Sequence, residues 1–262
     1  MELNLAGRTA LVCGSTQGIG QACAKQLAEM GAHIVLLARN EEALKQEKDE
    51  LDRINKLNNN YLVADFNDYR EVERVIKYFV ADLNPIHILV NNNGGPPAGL
   101  ITEANPEAFQ SAFTQHLLCN HVLVQSVLEG MINTDYGRII NIISTSVKQP
   151  LPGLGVSNTI RAAVANWSKT LSNEVGKYGI TVNNVLPGAT LTGRLAQIIN
   201  NKAAKFNKTT QYVEEEMLQE IPLKRFAKPE EIANAVAFLA SPAAAYISGI
   251  NLPVDGGRTA SL

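Results

Sequence analysis

Residues 9–30 read TALVCGSTQGIGQACAKQLAEM, and this stretch decides the fold. Thr9–Cys13 is a short uncharged run rich in residues that suit a buried strand. Gly14, Gly18 and Gly20 punctuate the turn after it, and Ile19, Cys23, Leu27 and Met30 then recur on one face of a helix. A strand entering a helix through such a turn leaves unpaired N–H groups and a partial positive charge at the helix start. Glycines let a phosphate come close to that backbone. A Gly-rich turn alone could be a tight turn without ligand; the strand before it and the helix after it favour dinucleotide binding.

The same alternation continues outward. Continuous apolar runs at Ile34–Ala38, Tyr61–Ala64, Ile86–Val90, Ile139–Ile143, Ile180–Leu186 and Asn251–Val254 predict strands covered on both faces. Helical faces lie between them, including Leu117, Val124, Leu128 and Met131, then Val164, Trp167, Leu171 and Val175. This pattern predicts one α/β domain over 1–262: a doubly wound, Rossmann-type sheet of about seven mostly parallel strands with helices on both faces. Residues 193–225 interrupt the rhythm with a polar, mixed stretch after the sixth strand. A covering segment over the ligand is expected there, with a plain surface helix as the alternative.

Composition excludes several classes. Hydrophobic residues make up 45% and charged residues 18%, with a formal net charge of -2, so no basic surface calls for nucleic acid or an anionic membrane. No apolar run approaches a membrane span, and the first residues lack a signal-peptide pattern, so a cytoplasmic protein is expected. Cys13, Cys23 and Cys119 form an odd, scattered set and read as buried reduced thiols. His116 and His121 do not share a helix face, and no metal site is expected.

The spacing Gly14-x-x-x-Gly18-x-Gly20 resembles the short-chain dehydrogenase/reductase family, especially its 3-oxoacyl-carrier-protein reductases. Val90-Asn91-Asn92-Asn93-Gly94, Pro187-Gly188 with Thr192, and the ending Ile247-Ser248-Gly249 through Asp255-Gly256-Gly257 are similar to family segments over nearly the whole length. Departures are Cys13, His87 and Asn93, where the family usually has Thr, often Asp, and Ala. The resemblance implies a cofactor held by Gly14, Ser15, Gln17, Gly18, Ile19, Gly20, Asp65, Asn92, Gly94, Pro187, Gly188 and Thr192. Arg39 ends the second strand where an acid would repel a 2′-phosphate; a cation there predicts NADP(H) over NAD(H), unless it is simply solvated. The resemblance also implies a homo-oligomer, a tetramer or dimer, built on the helices around Leu117–Met131 and Val164–Val175.

The family's proton-transfer Tyr and its Lys four residues on are not found. Ser144 matches the family Ser, but Ser157-Asn158-Thr159-Ile160-Arg161 stands where Tyr-x-x-x-Lys is expected, and His116 falls at the family's Asn, with Asn120 one turn away. A phenol with a pKa near 10 can be tuned toward neutrality, whereas a serine hydroxyl is a poor acid and an arginine keeps its proton. Arg161 can still hold ribose hydroxyls or grip an oxyanion. Lys148 is a candidate substitute acid. The expected function is an NADP(H)-dependent oxidoreductase moving a hydride to or from a small carbonyl or alcohol, with an atypical proton donor. The alternatives are a nucleotide- or ligand-sensing protein without turnover, and a lyase or isomerase using the same pocket.

Overall fold

The computed structural model describes residues 1–81 and 85–261. Seven strands form one sheet: β1 (Thr9–Cys13), β2 (His33–Ala38), β3 (Asn60–Val63), β4 (Ile88–Asn91), β5 (Gly137–Ile142), β6 (Ile180–Pro187) and β7 (Asn251–Val254). Their order is β3-β2-β1-β4-β5-β6-β7, and every pair is parallel. The strand order reverses between β1 and β4, which opens a crevice at their carboxyl ends.

The apolar runs are continuous because both faces of the sheet are covered. In β1, Ala10 and Val12 pack on one side with α1 (Gly18–Glu29), α2 (Glu41–Asn55) and α9 (Pro229–Ala240). Leu11 and Cys13 pack on the other side with α3 (Tyr69–Ala81) and α5 (Cys119–Asn133). The long α6 (Gly155–Val175) joins this second side through Val175, Trp167 and Leu171. Fully burying a Leu or Ile contributes about 1.5–3 kcal/mol, so these two layers dominate stability. All three cysteines are buried and free. Among the described residues, no helix is long and apolar enough to cross a membrane.

Boundaries differ from the sequence reading by one or two residues. β4 starts at Ile88 rather than Ile86, and the preceding His87 accepts the Thr9 N–H through its ring Nδ1, at 3.0 Å. Two further features shape the site. A π-turn at Thr114–Leu118 separates α4 (Pro106–Phe113) from α5. Residues 193–225 fold into α7 (Gly193–Phe206) and α8 (Thr210–Gln219), which share a small core of Leu195, Ile199, Ala203, Val213 and Met217.

Buried asparagines cross the sheet in register. Asn91 donates to Asn141 (2.8 Å), Asn141 to Asn184 (2.9 Å) and Asn184 to Asn251 (2.8 Å), tying β4, β5, β6 and the start of β7 together. Each bond satisfies one donor and one acceptor, which makes polar side chains tolerable inside the sheet, although Asn91 Oδ1 has no partner among the described residues.

Candidate active site

A cavity of about 790 Å³ lies along the carboxyl ends of the strands. Its first wall is the turn after β1. Gly14 and Gly18 have φ of +57° and +58°, a conformation L side chains rarely adopt. Gly20 is glycine for a different reason: a Cβ there would sit 2.2 Å from the Gly14 carbonyl oxygen. Asn92, following β4, clamps the turn by donating to the carbonyls of Cys13 (3.2 Å) and Gly14 (3.3 Å). Gln17 precedes α1 without a side-chain cap, and the first turn of α1 contains no acid. The opening N–H groups of α1 are therefore available to an anion, as a dinucleotide pyrophosphate requires.

Gly14, Gln17, Gly18, Ile19, Arg39, Asp65, Asn92, Gly94, Pro187, Gly188 and Thr192 all line this cavity. Arg39 is exposed and makes no hydrogen bond or ion pair among the described residues; the nearby Glu41 is engaged by Lys45 at 2.9 Å. Asp65 accepts from the Asn67 backbone and side chain, both at 2.9 Å. Thr192 caps α7, its Oγ1 accepting from the Leu195 N–H at 3.4 Å. Two expected contacts do not reach the cavity. Ser15 is fully buried behind the wall with its Oγ unpartnered, and Gly20 serves the packing of α1.

At the other end of the same cavity stand Ser144, Ser157 and Arg161. Ser144 follows β5 in an extended conformation and caps a short turn, its Oγ accepting from the Ser146 N–H at 3.1 Å. That leaves its own O–H free to donate. Ser157 is 8% exposed, and its Oγ has no hydrogen-bond partner among the described residues. Arg161, one turn on along α6, is also buried and donates through Nη1 to the Ile142 carbonyl at 2.9 Å. Burial and the neighbouring Arg194 charge bring its pKa down to about 10, so it remains cationic at neutral pH.

Two other expected residues lie elsewhere. Lys148 does not line the cavity, because the turn at Thr145–Val147 intervenes between it and Ser144. His116 sits in the π-turn and borders a separate void of about 10 Å³ behind the main wall, shared with Asn91, Asn120 and Arg161. Burial, then the Arg161 charge, pull the His116 pKa down to about 3, so its ring is neutral. Asn120 shares the void, so both candidates for the family's Asn position face it.

Arg194 was not among the expected site residues. It lines the cavity, donates to the Pro96 carbonyl at 2.6 Å, and is held with a lowered pKa by burial. A sequence signal existed: Arg194 occupies the first turn of a helix capped by Thr192, where the helix dipole disfavours a cation.

Residues 14–259 match a family model described as enoyl-(acyl carrier protein) reductase. The chain is 31% identical over 256 residues to the NADPH-dependent reductase BacG of Bacillus subtilis, covering 97% of this chain and 99% of that protein. It belongs to the short-chain dehydrogenase/reductase family. Within this family the chain is also 34% identical to the 3-oxoacyl-[acyl-carrier-protein] reductase FabG of Vibrio cholerae, over 97% of this chain and 98% of that one. Among solved structures, L-sorbose reductase of Gluconobacter frateurii, determined with NADPH and L-sorbose, superposes with a TM-score of 0.93 at 32% identity, covering 100% of both chains. The family assignment and the seven-stranded parallel sheet agree with the sequence reading.

Proposed function

We propose that the protein is an NADP(H)-dependent oxidoreductase acting on a small carbonyl or alcohol, with its proton-transfer group replaced. The observation that carries this reading is a single cavity joining the phosphate-binding turn and the unpaired Arg39 to Ser144. The NADPH dependence of BacG and the NADPH bound to L-sorbose reductase support the choice of cofactor. When bound, NADP(H) supplies or accepts the hydride.

The chain's own groups do the rest. Gly18, Ile19 and the α1 N-terminus hold phosphate, Arg39 takes the 2′-phosphate, and Thr192, Asn92 and Gly94 position the nicotinamide end. Ser144 donates to the substrate oxygen. Among the residues lining the cavity there is no Tyr, His or Cys. A serine hydroxyl can donate a proton to an alkoxide while accepting one from water, so Ser144 and Ser157 relay it without ionising. Arg161 adds a permanent positive charge that favours the developing oxyanion. Lys148 and His116 take no direct part. α7 covers the substrate through Arg194, Leu195 and Ile198, which line the cavity.

A second reading has one observation in its favour: the missing proton donor also suits a protein that binds nucleotide without turnover. Titration of NADPH followed by its absorbance over a carbonyl panel separates the two, since consumption supports the enzyme and saturable binding alone supports the sensor. We further propose that the chain assembles with copies of itself through the half-buried Leu128, Trp167 and Leu171. Light scattering reading a monomer at micromolar concentration would remove that assembly.

A further inference from the structure

At the Ser144 end of the cavity, two arginines approach one point. The space that a Cβ on Gly95 would occupy is 3.6 Å from Nη2 of both Arg161 and Arg194 and 3.7 Å from Nε of Arg194. Each guanidinium spends one nitrogen on a backbone carbonyl, Arg161 on Ile142 and Arg194 on Pro96, and neither makes an ion pair among the described residues. Arg161 is 8% exposed. Burying a cation without a counter-charge is costly, and setting a second beside it adds repulsion. The N-terminus of α7, where Arg194 sits, contributes a third positive element.

Among the described residues no acid pairs with either arginine. The acids lining the cavity are Asp65, engaged with Asn67, and Glu230, whose charge acts on Lys25 of α1. Both belong to the dinucleotide half. The proposed function gives the cofactor's phosphates separate partners there, in the α1 N-terminus and Arg39. The two arginines beside Ser144 and Ser157 therefore have no acidic partner among the described residues, and an anionic ligand would supply one.

We propose that Arg161 and Arg194 bind a carboxylate carried by the substrate, so that the protein acts on oxo acids or their hydroxy acids rather than on neutral carbonyls. This deepens the oxidoreductase reading and rests on it for the reaction, though not for the anion subsite itself. A carboxylate suits the geometry because one oxygen can take Arg161 Nη2 and the other Arg194 Nε, the facing nitrogens not spent on a backbone carbonyl, leaving the substrate carbonyl to Ser144. The directional fork of each arginine would fix the substrate as well as attract it.

The test compares acids with their methyl esters, which keep the carbonyl and remove the charge. Phenylpyruvate, 2-oxoglutarate and acetoacetate, each beside its ester, are assayed with NADPH on the parent protein, Arg194→Met and Arg194→Lys. Arg194 is chosen because Arg161 also anchors the end of β5 and its loss could disturb folding. The proposal expects at least a tenfold preference in kcat/KM for acids. It expects Arg194→Met to lower the acid-to-ester ratio at least tenfold, through KM, and Arg194→Lys to restore part of it. NADPH affinity should stay within about threefold in both variants. An unchanged ratio with a tenfold loss of NADPH affinity would overturn the proposal and assign the arginines to the cofactor. Calorimetry with oxalate and with inorganic phosphate, on NADP+-loaded protein, supplies a readout independent of turnover. Oxalate binding that falls in Arg194→Met upholds the subsite even where no acid or ester is reduced, an outcome that would defeat only the oxidoreductase reading. Oxalate binding equal in parent and variant, or phosphate binding more tightly than oxalate, overturns it.

Discussion

Ser144 carries the heaviest chemical role, because its hydroxyl is free to donate into the cavity while its oxygen is already held by the Ser146 N–H. Ser144→Ala should lower kcat/KM by about 10²-fold or more, the range for losing a positioned proton-transfer group. Ser157→Ala should cost less than about tenfold, since water can replace one hydroxyl of a relay. Steady-state kinetics on both variants checks this, and the opposite ranking would reverse the two roles. At the far end of the cavity, Arg39→Asp should weaken NADPH and strengthen NADH, because the charge facing the 2′ position changes sign. Fluorescence titration with each cofactor measures the shift; equal affinities in the parent would show that Arg39 points elsewhere. Ser144, Ser157, Arg161 and Arg39 were all legible in the sequence, because motif spacing fixes their places relative to the sheet. The pairing of Arg161 with Arg194 was not, since it brings α6 and α7 together across the cavity and no sequence interval encodes that. Lys148 and His116 misled for the same reason: one turn, or one helix face, decides whether a polar residue reaches the cavity.

Strands and helices follow the apolar pattern closely because both faces of the sheet are buried and every run had to be continuous. What the pattern concealed is the asparagine ladder. Asn91, Asn141, Asn184 and Asn251 look like interruptions in otherwise apolar strands, and only the parallel register aligns them. Asn141 is the central member, joined to Asn91, Asn184 and Ser168. Asn141→Leu leaves the Asn91 amide and the Asn184 carbonyl without partners in a buried setting. Each such group costs about 1–3 kcal/mol, so the variant should lose at least about 2 kcal/mol. Urea denaturation reads this as a lower midpoint at unchanged slope; a loss under about 0.5 kcal/mol would mean the ladder adds little. The polar stretch 193–225 also concealed its structure, because α7 and α8 bury a narrow stripe against each other and leave most of their surface polar.

On the scale of the whole molecule, two buried histidines couple folding to acidity. Burial, then Arg8, pull His87 down to about 4, and burial, then Arg161, pull His116 to about 3. Both pKa values lie below the unfolded value near 6.5, so the unfolded chain binds more protons between about pH 4 and 6.5. Stability is therefore fully present above about pH 6.5 and falls as the pH drops. Down to pH 5 the loss is about 2 kcal/mol per histidine at most. Denaturation midpoints at several pH values should show this slope, and His116→Gln should flatten it; a pH-independent midpoint would contradict the buried neutral rings. The global fold was the most legible level of all, since a glycine turn between a first strand and a first helix, with strands and helices alternating after it, admits few other arrangements. Chemistry is where that legibility ends, because the same sheet serves many reactions and only the site decides. The central proposal is that this site transfers hydride although no Tyr lines its cavity. Incubation with NADPH deuterated on the transferring position of the nicotinamide, over a carbonyl panel that includes oxo acids, with mass spectrometry of the products, tests it most directly. The predicted product is an alcohol carrying deuterium on the former carbonyl carbon; saturable NADPH binding with no deuterated product from any compound would contradict it.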